Sequence, residues 1–290
     1  MKKLIIEVRV NEYAMRDGNP HVPWSAEEIG RDAAAIREAG ASIIHFHARG
    51  ADGAPAHATA DYAAAIRAIR RASDLIVHPT LGQITVAGRD ERIEHIVELA
   101  RDPALKPEIA AIDTGSANID RYDTRTRTFQ TSNKVYVNSH ETLVRFCTRF
   151  AEIGVRPVIS AWNGPFLRTG QALIEMGLIS EPAYALLVHC EGGLLGGHPA
   201  TSSGLQSFLS HLPRNRRIEW TVCAKFGNLF PVAMQAIAEG GHVAIGIGDY
   251  DYPELGRPTN ADLVREIVRM ARLVGREAAT PAEARQMLAL

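Results

Sequence analysis

Eight short apolar runs, each followed by a segment of helical period, constrain most tightly what this 290-residue chain can fold into. The runs are Leu4 to Glu12, Ser42 to Arg49, Leu75 to Thr80, Ile109 to Ser116, Pro157 to Asn163, Ala183 to Cys190, Arg217 to Lys225 and His242 to Asp249. Helical period follows at Ala26 to Ala39, Ala60 to Arg71, Glu91 to Ala100, His140 to Ile153, Thr169 to Met176, Ser202 to His211, Pro231 to Ala238 and Asn260 to Leu273. Near-continuous apolar strands are buried on both faces, and parallel neighbours need a helical crossover between them. Eight such units predict an α/β fold, a closed (β/α)8 TIM barrel in a single domain over residues 1–290. The stretch Asp120 to Asn133 has no apolar period and carries Arg121, Arg125 and Arg127, so a loop excursion is expected at about 119–139.

An apolar share of 46% against 22% charged residues supplies a sizeable core. A formal net charge of -1 offers no broad field for nucleic acid or anionic membrane. Glu7 and Arg9 interrupt the first apolar run, which therefore reads as a strand rather than a signal segment. No window approaches the roughly twenty apolar residues of a membrane helix. Cys147, Cys190 and Cys223 are scattered and odd in number, which favours free thiols and a cytoplasmic setting.

Chemistry in a barrel gathers where the loops after the strands converge, at the C-terminal strand ends. His45 and His47 end the second run, and side chains two apart on a strand leave the same face, so both imidazoles can meet one divalent metal. Zinc suits imidazole and usually takes a third protein ligand, for which His78 and Glu12 are candidates. Glu12 reads equally well as a salt-bridge partner of Arg49, and His78 as a histidine packed under a loop. Asp249 ends a strand of small apolar residues, where a carboxylate is costly unless solvated, paired or used, so Asp249 and Glu12 are the candidate proton-transfer groups. Thr80-Leu81-Gly82 and Thr114-Gly115-Ser116 set hydroxyls beside glycines, where backbone N–H groups can approach an anion. Thr80, Gly82, Thr114, Ser116, Asn118 and Arg49 are thus candidate substrate-binding residues. Lys225, at the end of the seventh run, suits either Schiff-base formation or anion binding.

The segments His45-Phe46-His47-Ala48-Arg49, Thr114-Gly115-Ser116-Ala117-Asn118, Val137-Asn138, Gly240-Gly241-His242-Val243, Asn260-Ala261-Asp262-Leu263-Val264 and Ala279-Thr280-Pro281-Ala282-Glu283-Ala284-Arg285 occur in this order. Together they resemble the β-keto acid cleavage enzymes over nearly the whole chain. The resemblance implies a zinc-bearing barrel, usually a homo-oligomer (dimer or tetramer), that converts a small β-keto acid and acetyl-CoA into acetoacetate and a new acyl-CoA. It implies that His45 and His47 bind the metal. The family's third ligand is a glutamate in a strand-eight run R-V-G-x-E-D, whose arginine and aspartate form the proton-abstracting pair. Here that run is Ala244-Ile245-Gly246-Ile247-Gly248-Asp249, so the aspartate is kept while Ala244 and Gly248 replace arginine and glutamate. A strand-five glutamate is also missing, its place taken by Ser160 or a neighbour, and Gly227-Asn228 stands for a Gly-Arg pair. Asp249 is therefore expected to lack its ion-pair partner. The expected activity is metal-dependent β-keto acid cleavage; a metal-assisted aldolase or hydrolase without CoA and a non-catalytic metabolite-binding barrel are the rivals.

Overall fold

The computed structural model describes residues 2–82 and 91–290. In chain order the elements are β1 (Ile6–Arg9), α1 (Ala26–Ala39), β2 (Ile43–Phe46), α2 (Thr59–Ala72), β3 (Ile76–Pro79), α3 (Glu91–Leu99) and β4 (Ile109–Asp113). Four short strands follow, β5 (Ala117–Asn118), β6 (Tyr122–Asp123), β7 (Thr128–Phe129) and β8 (Val135–Tyr136). Then come α4 (His140–Ile153), β9 (Arg156–Ala161), α5 (Gly164–Glu175), β10 (Ala183–Cys190), α6 (Ser202–His211), β11 (Ile218–Lys225), α7 (Phe230–Ala238), β12 (His242–Ile245), α8 (Asn260–Leu273) and α9 (Pro281–Leu288).

The long strands form one 8-stranded sheet in the order β3-β2-β1-β12-β11-β10-β9-β4. Every ladder in it is parallel. β3 and β4, the two ends of that order, lie against each other, so the sheet curls into the barrel that eight β-then-α units predict. β5 pairs with β8 and β6 with β7, making the excursion after β4 a pair of small antiparallel ribbons. It docks on the mouth, where the Tyr122 N–H donates to the Gly193 carbonyl at 2.8 Å. No helix among the described residues is long and apolar enough to cross a membrane.

Local chemistry shifts two boundaries from the sequence reading. α5 starts at Gly164 rather than Thr169, because the Asn163 side chain caps the Phe166 N–H and a proline sits in the first turn. α9 was not expected as a helix; Thr280 and Glu283 close a reciprocal capping box that starts it. The segment leading into α9 seats the start of the first strand: Leu4 N–H donates to the Glu277 carbonyl and Ala279 N–H to the Leu4 carbonyl, both at 2.8 Å.

One buried side chain ties the strand ends of the mouth to the helical layer. Asn260, the first residue of α8, accepts from the Ile247 N–H at 2.9 Å and donates to the Val10 carbonyl at 3.1 Å and to Asp32 Oδ2 at 2.8 Å. Val10 leads out of β1 and Ile247 out of β12, so this amide fixes the spacing of the two strands that carry Glu12 and Asp249. Asn260→Ala strands a buried N–H and a buried carbonyl, and is expected to cost about 2–4 kcal/mol of unfolding free energy. Urea denaturation measures it; a loss below about 1 kcal/mol refutes the tie.

Candidate active site

Register decides which side chains meet inside the barrel. Arg9 pairs with His45 across β1 and β2, and His45 with His78 across β2 and β3, so these three side chains stand at one level on adjacent strands. All are buried. Glu7 lies one inward position below Arg9, and its Oε1 is 3.0 Å from His78 Nδ1 and 3.7 Å from Arg9 Nη1. The Tyr184 hydroxyl donates to Glu7 Oε2 at 3.3 Å.

Beyond β1 the chain turns sharply, and Glu12 takes a φ of 34°, in the left-handed region. Such a conformation costs a non-glycine residue of order 1–3 kcal/mol and survives only where neighbours over-determine it. Arg49 does so: its guanidinium donates to the carbonyls of Asn11 (3.1 Å), Glu12 (2.7 Å), Ala14 (2.9 Å) and Gly53 (2.6 Å). Asn11 adds a clamp to strand two, its Nδ2 donating to the His47 carbonyl and its Oδ1 accepting from the His47 N–H, each at 2.9 Å. Arg49 thus holds the backbone of Glu12, correcting the expectation of a carboxylate salt bridge between them.

Held this way, the Glu12 carboxylate faces both imidazoles, Oε1 at 2.9 Å from His45 Nε2 and Oε2 at 3.2 Å from His47 Nε2. Donor atoms of the three residues lie within 4.8 Å of one another. A second trio, Glu7, His45 and His78, satisfies the same limit. Despite the short distances, Glu12 Oε1 and His47 Nε2 are buried without an aligned hydrogen bond among the described residues. Atoms that converge without bonding each other fit ligands aimed at a common ion, and two imidazoles with one carboxylate is a donor set that catalytic zinc uses. The carboxylates of Glu7, Glu12 and Asp249 gather around Arg9, with Lys225 near Glu12 and Asp249.

Asp249 is not alone. Arg9 Nε donates to its Oδ2 at 2.6 Å, while Arg9 Nη2 lies 2.9 Å from Glu12 Oε1. The ion-pair partner judged missing at Ala244 is therefore supplied by the neighbouring strand. The two carboxyls titrate differently. Burial pushes Glu12 up, but Arg9, both imidazoles and Lys225 outweigh it and hold Glu12 well below the usual carboxylate range. At Asp249 burial wins over Arg9, with Glu12 adding repulsion, and its pKa is raised. Burial lowers His45 to about 3 and also lowers His47, keeping both imidazoles in the neutral form that binds metal. Burial lowers Lys225 as well, yet Glu12 and Asp249 more than offset that and raise it, which favours its ammonium form.

Two chambers meet at this cluster. The inner one, about 40 Å³, is bounded by Arg9, Glu12, His45, His47, Thr80, Asp113, Ser160 and Lys225, with Leu81, Ala111, Leu186 and Val188 as its apolar wall. The outer one, about 500 Å³, shares Glu12 and Lys225 and adds Asp249 and a rim that includes Tyr13, Met15, Arg121 and Phe226. Thr80 is the one proposed substrate-binding residue that lines either chamber. Arg49 is spent on carbonyls. The Thr114 hydroxyl donates to the Phe166 carbonyl at 2.8 Å, and Ser116 Oγ to the Asn138 carbonyl at 3.2 Å. Asn118 is exposed in β5, and Gly82 N–H donates to Thr80 Oγ1 at 3.3 Å. Among the described residues, none of those five lines either chamber. Glu7 and Arg9 were missed. Their signal was present: Glu7 and Arg9 share inward parity on a strand whose other residues are apolar.

Gly248 explains the absent glutamate. A Cβ there would lie 2.7 Å from the Asn11 N and C atoms and from the Glu12 N atom, so the backbone that presents Glu12 occupies the space a side chain needs. Placing a glutamate there by Gly248→Glu is therefore expected to displace Glu12 and destabilise the fold by about 1–3 kcal/mol, with zinc uptake no tighter than that of the wild type. Calorimetric unfolding and zinc titration check this; a folded variant binding zinc more tightly refutes it.

A family model described as beta-keto acid cleavage enzyme matches residues 3–290. A 3-keto-5-aminohexanoate cleavage enzyme of Acetoanaerobium sticklandii is 32% identical over 294 residues, covering 100% of this chain and 99% of that protein. A 3-dehydrocarnitine:acetyl-CoA trimethylamine transferase of Rhizobium meliloti is 28% identical, covering 93% of this chain and 90% of the other. Among solved structures, the apo structure of ObcA aligns with a TM-score of 0.70 at 14% identity, over 93% of this chain and 66% of that one, a likeness of fold.

Proposed function

This chain belongs to the β-keto acid cleavage enzyme family, and on that premise we propose that it transfers a small β-keto acid's acyl group to CoA, consuming acetyl-CoA and releasing acetoacetate. The observation that carries the reading is the Arg9–Asp249 pair beside the Glu12–His45–His47 cluster, a base and a candidate metal-binding trio on two chambers that share Glu12 and Lys225. Acetyl-CoA as acceptor follows the printed names of relatives such as the Rhizobium meliloti transferase. In the reaction R–CO–CH2–COO⁻ and CH3–CO–SCoA give CH3–CO–CH2–COO⁻ and R–CO–SCoA, with no net oxidation. A homo-oligomeric cytoplasmic enzyme is part of the same reading.

Glu12, His45 and His47 would hold the divalent ion, zinc by donor type, which when bound supplies Lewis acidity toward keto and carboxylate oxygens. Asp249 takes the proton from the α-carbon. A raised pKa suits that task, because the conjugate acid is then a weaker one and the carboxylate a stronger base near neutral pH. Arg9 fixes its orientation through the 2.6 Å hydrogen bond. Thr80 and Ser160 present hydroxyls to the inner chamber, whose apolar wall of Leu81, Ala111, Leu186 and Val188 suits a short acyl group.

Metal content is the first test. The protein purified without chelator is expected to carry about one zinc per chain by elemental analysis, and Glu12→Gln or His47→Ala to lose it. His78→Ala is expected to keep the metal, since Glu12 completes the set. A metal-free wild type that also fails to take up zinc sinks the proposal.

The pH profile of kcat/KM tests the base. Asp249 must be ionised to accept a proton, so activity falls as pH drops through its pKa. Removing the adjacent cation makes the carboxylate harder to ionise, and Arg9→Gln is expected to move the acidic limb up by about 1–3 units. Arg9→Lys, which keeps the charge, should move it less. An acidic limb unchanged in both variants shows that the titrating base is another group.

A further inference from the structure

Glu7 is a carboxylate that neither solvent nor substrate meets. It is fully buried on β1, one inward position below Arg9, and bounds neither chamber. Burying such a group is costly unless cations or donors converge on it. Three groups do: the Tyr184 hydroxyl at 3.3 Å from Oε2, and His78 Nδ1 at 3.0 Å and Arg9 Nη1 at 3.7 Å from Oε1. A carboxylate beside a permanent cation is held ionised and can only accept, so His78 Nδ1 carries a proton toward it. In a neutral imidazole the second nitrogen is then an acceptor, and His78 Nε2 is buried without an aligned partner among the described residues.

The adjacent strand carries the complement. His45 faces Glu12 through Nε2, and a neutral imidazole that gives this nitrogen to a metal keeps its proton on Nδ1. His45 Nδ1 is buried and likewise without an aligned partner among the described residues. The two rings stand at one register level of β2 and β3, their centroids 4.6 Å apart and their planes at 68°. A nitrogen of each lies within 4.8 Å of the other. One donor and one acceptor, both buried and both orphaned on neighbouring rings, match each other, and leaving them apart costs the desolvation of both. Rotation of a ring about its Cβ–Cγ bond joins them.

We propose that Glu7 and His78 are positioning residues for the metal centre: Glu7 fixes His78 with its proton on Nδ1, and His78 Nε2 accepts the Nδ1 proton of His45, aiming His45 Nε2 at the ion. The inference rests on the Glu12–His45–His47 reading above, and it makes His78 the support of a ligand rather than a ligand. A hydrogen-bonded chain that ends in a carboxylate makes the first imidazole a stronger electron-pair donor and holds its ring in one orientation. Tyr184 secures the far end of the chain through Glu7 Oε2. Neither Glu7 nor His78 bounds a chamber, so the chain acts on the hold over the metal and not on the reacting atoms.

Zinc affinity is measured by competition with a chromophoric chelator, and the imidazole count at the metal by X-ray absorption. His78→Ala is expected to keep its zinc at saturating metal, with the same imidazole count as the wild type, but to bind it about 10–100-fold more weakly. Glu7→Gln, which keeps the shape and drops the charge, is expected to weaken zinc about tenfold, and to add nothing in the His78→Ala background because it acts through His78. His78→Gln, whose amide can accept from His45 and donate to Glu7, should recover most of the loss. Nitrogen-15 NMR of the zinc-loaded wild type should place a proton on Nδ1 of both rings, a reading that holds even where replacing a buried histidine unfolds the barrel. Wild-type zinc affinity in folded His78→Ala and Glu7→Gln, or a His78 proton on Nε2 alone, overturns the chain. An imidazole lost from the metal in His78→Ala overturns it too, by making His78 a ligand. A wild type that takes up no zinc overturns the preceding metal reading as well.

Discussion

Everything in the mouth of this barrel depends on one buried guanidinium. Arg9 reaches Asp249, Glu12 and Glu7 at 2.6, 2.9 and 3.7 Å, each through a different nitrogen. Arginine suits such a position because its charge is permanent and its donors diverge in a rigid plane. Burying three carboxylates without it would cost several kcal/mol each in desolvation. With it in place, one side chain sets both the ionised state of Glu12 and the orientation of Asp249.

That dependence explains why the strain at Glu12 is tolerated. The turn after β1 is held by the carbonyl bonds of Arg49 and the two-way clamp of Asn11 on His47. The same Asn11 side chain links strand one to strand two at the level of His45 and His47, and so fixes the backbone of Glu12 relative to that of His47. A site with several carboxylates in close range is preorganised by such scaffolding.

The barrel was legible because the eight apolar runs are separated by segments of helical period, and the strand ends fell within a few residues of their places. The convergence of His45 and His47 was legible because the side-chain period of a strand puts them on one face whatever the rest of the fold does. Arg9 was not. In sequence it reads as a charge interrupting an apolar run, and its meaning appears only when parity places it beside Asp249, 240 residues away. Glu12 was legible as a candidate but not as a ligand in preference to His78, since the choice turns on a positive φ that no spacing rule announces for glutamate. Thr114 and Ser116 donate to backbone carbonyls, as a hydroxyl beside a glycine serves a loop's own hydrogen bonds as readily as a bound anion.

The family groups missing from the sequence have counterparts one strand away. Ala244 pairs in register with Glu7, and the arginine stands two residues on, at Arg9 of the same strand. Gly248 packs against the turn that presents Glu12. Ser160, at the place of the lost strand-five glutamate, pairs with Asp113 of β4, and its hydroxyl donates to that carboxylate at 2.6 Å. Asp113 also accepts from Trp162 Nε1 at 2.8 Å and from the Tyr136 hydroxyl at 2.8 Å, so neutral donors surround the charge. A glutamate at 160 would repel Asp113 across one ladder rung, which accounts for a serine where its neighbour carries the acid. Chemistry in a barrel needs charges at points in space, and adjacent strand ends lie about 5 Å apart, within the reach of one side chain. A group absent from one strand end can therefore be matched by a residue reaching the same point from the next, as Arg9 of β1 does beside Ala244 of β12.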